Sequence, residues 1–239
     1  FHNEEVGSGT WQGADSTFLT DVLSRAAAAL GRTGEAYQTS VAESFLVSAD
    51  NAHAVHPAHP EYADKQEFPV LNGGVVVKYN ANQHYTTDAL SDAVFRDLCR
   101  RAEVPVQRYS NRADLPGGST LGNISTSHLS IPSVDIGLPQ LAMHSCCEVA
   151  GVRDTEALAR VMTAYFSAGI RRLPGGGMAL AENRMKTPRN RWDSGGFLRR
   201  KASVRKTRRQ VRLLRMDVCA EKQNLTAEEN LLKYEVSFT

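Results

Sequence analysis

The chain has 239 residues, 41% of them hydrophobic, and a formal net charge of +2, an ordinary globular composition with enough apolar material for one sizeable core. No run approaches the roughly 18 to 20 apolar residues of a membrane span, and the first residues lack a basic segment followed by an apolar core, which argues against a transmembrane helix and a signal peptide. The first residue is Phe1 rather than Met, so a fragment or processed product is expected.

The small net charge conceals an asymmetry. Residues 1–168 carry 11 Lys and Arg against 19 Asp and Glu, whereas residues 169–239 carry 17 against 7. All seven histidines lie at or before His144. A boundary is therefore expected near Gly169, between a catalytic-type domain of residues 1–168 and an irregular basic tail of residues 169–239. The cysteines Cys99, Cys146, Cys147 and Cys219 form neither a disulfide framework nor a CxxC zinc site. A reducing compartment, the cytoplasm, is the expectation.

In chain order, Phe1-His2-Asn3-Glu4-Glu5-Val6-Gly7-Ser8 places two adjacent carboxylates where a short extended run meets a helix. Thr10 to Leu30 then has apolar residues at helical spacing, and Gly31 is a natural stop. Ser44 to Asp50 reads as a buried strand that delivers an acid at its carboxyl end, and His53, His56 and His59 follow in a Pro-rich loop. Gly73 to Tyr79 is a second strand, rich in β-branched residues, with Lys78 near its end. Thr87 to Ala102 is an amphipathic helix with Thr87 or Asp88 as cap. Val104 to Tyr109 is a strand, Asp114 to Gly122 a turn-rich loop leading into a helical segment, and Ile131 to Gly137 a further strand. Leu138 to His144 delivers a histidine just beyond it, and Asp154 to Ala168 is a helix. This alternation predicts an α/β fold with a largely parallel sheet flanked by helices, whose ligands collect beyond the strand ends.

Hydrolysis at a metal pair needs a water of lowered pKa, a Lewis acid at the scissile carbonyl and a carboxylate to move the proton. Glu5, Asp50 and His144 are donor types that zinc accepts, and Glu4 beside Glu5 is the natural base. Spacing alone also allows a bland reading, because acids at strand ends commonly act as helix caps or surface groups. The His53-x-x-His56-x-x-His59 spacing suggests a separate metal site, but two prolines in the loop make convergence hard to argue.

Four motifs in order carry a resemblance: Phe1 to Ser8, Ser48 to Pro57, Gly118 to Gly122, and Val134 to Ser145. They resemble the C-terminal half of the catalytic domain of aspartyl aminopeptidases, dizinc exopeptidases, over roughly residues 1–168. The resemblance implies Glu4 as general base, Glu5 and His144 as ligands of one zinc ion, and Asp50 as a ligand of the other. It implies His53, Lys78 and Tyr85 as substrate contacts, with Lys78 pairing the acidic side chain of an N-terminal Asp or Glu. It further implies two zinc ions per complete domain, peptide substrates and a large homo-oligomer. Each residue has an ordinary alternative: His53 a loop histidine, Lys78 a strand-end cation reaching solvent, and Tyr85 a core aromatic. Asp135 is either a hydrogen-bond acceptor orienting His144 or a turn-stabilising acid.

Two departures from the family pattern stand out. His2 occupies a position where the family usually has Asp. The family's remaining metal ligands, a histidine and the metal-bridging aspartate, lie upstream of the Glu4-Glu5 motif, so the domain is expected to be incomplete at its N-terminus and this chain inactive or nearly so. The tail does not resemble the family, and a shifted reading frame or retained intron is favoured over a genuine extension. A second functional reading takes the chain as a catalytically incomplete binding protein whose clusters at Arg199 to Lys201 and Arg205 to Arg209 contact nucleic acid or an acidic membrane surface. Few aromatics interleave those clusters and charge runs are ordinarily just solvated, which makes nucleic acid the weaker expectation.

Overall fold

The computed structural model describes residues 1–115 and 117–182. Its strands are β1 (Leu46–Ala49), β2 (Ala52–His53), β3 (Val75–Tyr79), β4 (Val106–Ser110), β5 (Ser133–Gly137), β6 (Pro139–Leu141), β7 (Val149–Ala150), β8 (Ala168–Arg172) and β9 (Met178–Glu182). Its α-helices are α1 (Phe18–Ala29), α2 (Glu35–Ala42), α3 (Ala89–Arg101), α4 (Leu121–His128) and α5 (Val152–Ser167). The Arg clusters and Cys219 of the basic tail lie outside the described residues.

The main sheet has the order β1-β5-β3-β4. β1 pairs parallel with β5 and β3 parallel with β4, but β3 runs antiparallel to β5. The expected α/β architecture with flanking helices is present, and the sheet is mixed. A small second sheet, β2-β6-β7, continues past the ends of β1 and β5.

Strand alternation decides which side chain meets which layer. Val75 and Val77 of β3, Val47 of β1, and Val134 and Ile136 of β5 point to one face and pack on Val94, Phe95 and Leu98 of α3 and on Leu158, Val161 and Tyr165 of α5. Burying each such side chain contributes about 1.5–3 kcal/mol. Val76 points the other way, into a small cluster with Ala52, Tyr85 and Tyr109. Lys78 has the same parity as Val76, so β3 sends its cation to the face opposite the main core. On that opposite face a further cluster joins Leu19 of α1, Val41 of α2 and Leu46 of β1 to Leu129 and Ile131.

Local chemistry fixes the helices. Asp88 caps α3 by accepting from the Ser91 amide at 2.7 Å, while the Ser91 hydroxyl accepts from the Asp88 amide at 2.9 Å, a reciprocal capping box. At the start of α5, buried Asp154 accepts from the amides of Asn72 (2.6 Å) and Gly74 (2.8 Å), tying that helix to the loop before β3. The Tyr165 hydroxyl donates to the Phe45 carbonyl at 2.6 Å, closing α5 onto β1.

Two expectations are revised. Helix α1 begins at Phe18 rather than Thr10, because the preceding residues are folded into turns: a Cβ on Gly13 would stand 1.9 Å from the Ser8 carbonyl oxygen. Residues just past the expected boundary, read as irregular, form the β8–β9 hairpin. Its turn uses the left-handed glycines Gly175 and Gly176, both at φ 93°, while Ile170, Met178 and Leu180 pack on the main core. The Arg101 guanidinium donates to the Leu180 carbonyl at 3.2 Å.

Candidate active site

A cleft of about 470 Å³ opens on the face to which Lys78 points, and it gathers Glu4, Glu5, Asp50, His53, Lys78, Tyr85 and His144 along its walls. These seven side chains are the residues singled out in the sequence, and they come from five separate segments. Gly118, Ser119 and Thr120, with Gln140, Met143 and Glu148, complete much of the lining.

Glu4 and Glu5 sit in a single 3-10 turn, Glu4–Val6, held between left-handed Asn3 (φ 55°) and Gly7 (φ 101°). The Ser8 amide closes the turn on the Asn3 carbonyl at 3.0 Å, and Ser8 itself is buried. A tight turn of this kind aims two successive carboxylates into one cleft without a helix behind them.

Asp50 follows β1 directly, its amide donating to the Ile136 carbonyl at 3.0 Å. That close approach depends on Gly137, where a Cβ would lie 2.1 Å from the Asp50 carbonyl oxygen. Lys78 is 1% exposed. Its ammonium lies 3.7 Å from the Asp50 carboxylate, donates to the Asn51 carbonyl at 3.2 Å, and stands 5.2 Å from the centre of the Tyr85 ring. Lys78 is therefore a buried cation held at the cleft wall, and its reading as a strand-end residue reaching solvent does not hold.

Burial pushes the Tyr85 phenol up from its ordinary value, with the charges of Tyr109, Asp135 and Asp50 adding to the shift. Tyr85 thus stays neutral, with a hydroxyl that can donate or accept a hydrogen bond. The pKa of His53 is held below its usual 6.5, first by partial burial among the cleft walls and then by the charges of Lys78 and His144, against an opposing contribution from Asp50. The ring keeps an exposed face, and the direction of the shift makes a neutral imidazole the prevailing form at neutral pH.

His144 lies in the bend between β6 and β7 with φ 66°, an uncommon conformation for a side-chain-bearing residue. Its Nε2 is 2.9 Å from Glu5 Oε2, and its amide donates to the Glu148 carboxylate at 2.6 Å. The pairing of Glu5 with His144 and the position of Asp50 match zinc's preference for carboxylate oxygen and imidazole nitrogen. Among the described residues no three His, Cys, Asp or Glu side chains are grouped to hold a metal, so these side chains fit zinc in kind but do not by themselves form a complete set.

Asp135 does not orient His144. Fully buried on β5, it accepts from the Thr86 amide (2.6 Å), the Thr86 hydroxyl (3.1 Å) and the Thr120 hydroxyl (3.1 Å). It thus ties the segment carrying Tyr85 and the loop before α4 to the sheet. Gln140 is the residue the sequence reading missed: buried beside the cleft, it accepts a short hydrogen bond from the Asn51 side chain. A lone glutamine in a Leu-Pro-Gln-Leu run gives no periodic signal. His56 and His59 stack near each other on the exposed loop, with ring centres 5.5 Å apart, and are not among the cleft-lining residues.

Known proteins resemble this chain in sequence and in fold. The chain is 51% identical over 154 residues to a probable M18 family aminopeptidase 2 of Clostridium novyi, covering 64% of this chain and 36% of that protein. Among solved structures, the cryo-EM structure of the Ape4 and Nbr1 complex superposes with a TM-score of 0.66 at 40% identity, over 68% of this chain and 31% of that one. The structure of the S. cerevisiae mApe1 dodecamer superposes with a TM-score of 0.60 at 30% identity, over 69% and 36% of the two chains. The chain thus spans a little over a third of the length of the curated relatives it matches. Residues 1–166 match the family described as aminopeptidase I zinc metalloprotease (M18), and the chain belongs to that family.

Proposed function

We propose that this cleft is the downstream part of the active site of a zinc-dependent aminopeptidase that removes N-terminal Asp or Glu from peptides. The observation that carries the reading is the convergence of Glu4, Glu5, Asp50, Lys78 and His144 on one cleft, with Glu5 and His144 in contact at 2.9 Å. Glu5 and His144 would hold one metal ion and Asp50 the other, with two ions per complete domain. Zinc, when bound, supplies Lewis acidity and a water of lowered pKa. Glu4, adjacent in the same turn, takes the proton from the attacking water and returns it to the leaving amine.

Lys78 supports the choice of substrate. Its ammonium is desolvated, and its carboxylate neighbour Asp50 stands 3.7 Å away, beyond a tight charge-assisted bond. A substrate carboxylate entering the cleft meets a cation already stripped of water, with the neutral Tyr85 phenol and His53 beside it. A hydrophobic N-terminal side chain would bring that cation no second carboxylate beside Asp50, and the missing charge-assisted contact gives the discrimination.

The described residues supply three metal donors, fewer than two ions take up. We therefore expect the 239-residue chain alone to be inactive or nearly so. A dodecameric relative supports a homo-oligomer for the whole protein, and the free thiols of Cys99, Cys146 and Cys147 suit a reducing, cytoplasmic setting. The test is metal-dependent release of N-terminal Asp against N-terminal Leu. In an assembled catalytic domain the preference for Asp should exceed about 100-fold and collapse in Lys78→Met. Equal rates for both peptides would contradict the specificity, and turnover by the isolated chain would contradict its inactivity.

A further inference from the structure

Asn51, which stands between Asp50 and strand β2, also lines the cleft, and nothing in the proposed chemistry uses it. It faces both charges of the cleft wall at once. Its amide donates to Asp50 Oδ1 at 2.8 Å, and its carbonyl accepts from the Lys78 ammonium at 3.2 Å. Its side-chain amide donates to the Gln140 carboxamide oxygen in a short hydrogen bond. Gln140 is 2% exposed, and the pairing of β2 with β6 fixes its backbone. The Ala52 amide donates to the Leu138 carbonyl at 2.8 Å, and the Ala54 amide to the Gln140 carbonyl at 2.9 Å. Asn51 is therefore pinned through its side chain while both of its backbone groups are committed to charged neighbours.

We propose, resting on the aminopeptidase reading for the roles of Lys78 and Asp50, that Asn51 and Gln140 are positioning residues that hold those two charges apart. The cation is thereby kept for the substrate and the carboxylate for the metal. The Lys78 ammonium lies 3.7 Å from Asp50 Oδ2, although a cation bonded directly to a carboxylate closes to about 2.7–2.9 Å. Asn51 offers each charge an opposite partial charge, its carbonyl oxygen to the ammonium and its N–H to the carboxylate. Each is thus partly satisfied without direct contact. Collapse would pair the two groups with each other, and Lys78 would then offer less to a substrate carboxylate and Asp50 less to a metal ion. Gln140 opposes that collapse through Asn51. Removing its oxygen frees the Asn51 side chain, which loosens the peptide groups on either side and lets Lys78 close on Asp50. The same contact accounts for a polar side chain buried in the otherwise apolar run Leu138-Pro139-Gln140-Leu141.

Gln140→Leu removes the accepting oxygen at similar volume, and Asn51→Ala removes the donor. Because Asn51 is half-buried, Asn51→Ala reads the same contact without altering the core. Crystal structures of the 239-residue chain should show the separation of Lys78 from Asp50 closing from 3.7 Å to about 2.8 Å in each variant. In an assembled catalytic domain each should lower the preference for N-terminal Asp over Leu by about 10- to 100-fold, chiefly through KM for the Asp peptide. Asn51→Ala/Gln140→Leu should lose no more than either change alone, because both break one contact. A general loosening of the fold would slow both peptides alike and leave their ratio where it was. A separation that stays near 3.7 Å in Asn51→Ala, a preference held within about twofold, or additive losses in the double variant would overturn the proposal. An unaltered domain with no preference for Asp would instead contradict the specificity reading, and the separation in the two variants would still decide whether Asn51 and Gln140 hold the charges apart.

Discussion

His144 Nε2 lies 2.9 Å from Glu5 Oε2, joining the first turn of the chain to a bend nearly 140 residues later. Both side chains are substantially exposed, at 69% and 46%, so as a surface ion pair the contact adds little stability, within about 1 kcal/mol. A pair of such low structural value is better explained by what it can bind. Glu5→Gln should leave the unfolding free energy within about 1 kcal/mol of the unaltered chain. In an assembled catalytic domain it should weaken zinc binding, measured by competition with a chelator, by at least about 100-fold.

Lys78 behaves oppositely. Its ammonium is buried against Asp50, and removing one partner of a buried pair leaves the other under-compensated. Because the Asp50 side chain keeps 25% of its exposure, the lower end of the usual penalty applies. Lys78→Ala should lower stability by about 3 kcal/mol in urea unfolding.

Gly137→Ala tests how Asp50 is placed. With a new Cβ 2.1 Å from the Asp50 carbonyl oxygen, β1 and β5 must separate at that point. The expected loss is about 2–3 kcal/mol, with faster amide exchange at Asp50 and Ala52, whose amides bond to Ile136 and Leu138.

Cys99 gives a pH dependence of definite sign. Its ordinary pKa is 9.0, and burial pushes it up to about 12 in the folded chain. The folded state therefore keeps a proton that the unfolded state releases. The contribution is fully present below about pH 9 and is lost as pH rises towards about 12, by at most about 1.4 kcal/mol per pH unit. Urea midpoints at about pH 8 and about pH 10.5 should diverge in the unaltered chain, and the divergence should shrink in Cys99→Ala.

Much of this was legible in the sequence where one local signal dominates. The β-branched run at Val75–Tyr79 and the Asp88-capped helix Ala89–Arg101 appear close to their expected bounds. All seven candidate site residues share the cleft, because each lies at or just beyond a strand end or in a tight turn. What was not legible depends on distant partners. Two-residue strands such as Ala52–His53 exist only through their neighbours, and the antiparallel register of Val76 with Gly137 has no local signature. Asp135 is the instructive case: its motif suggested a role beside His144, but strand parity turns it towards Thr86 and Thr120. The hairpin of Ala168–Arg172 and Met178–Glu182 was hidden because Pro174 and the glycines Gly175 to Gly177 break its sequence pattern, while Ile170, Met178 and Leu180 meet the core from alternate positions.

The most direct test of the account joins residues 1–168 behind the upstream portion of the Clostridium novyi relative and measures zinc-dependent release of N-terminal Asp. The joined protein should turn over. Glu4→Gln within it should lose activity by about 10²- to 10⁴-fold while its zinc content stays unchanged. Activity retained within about tenfold in Glu4→Gln would contradict the assignment of Glu4 as the base, and with it the central reading of the cleft.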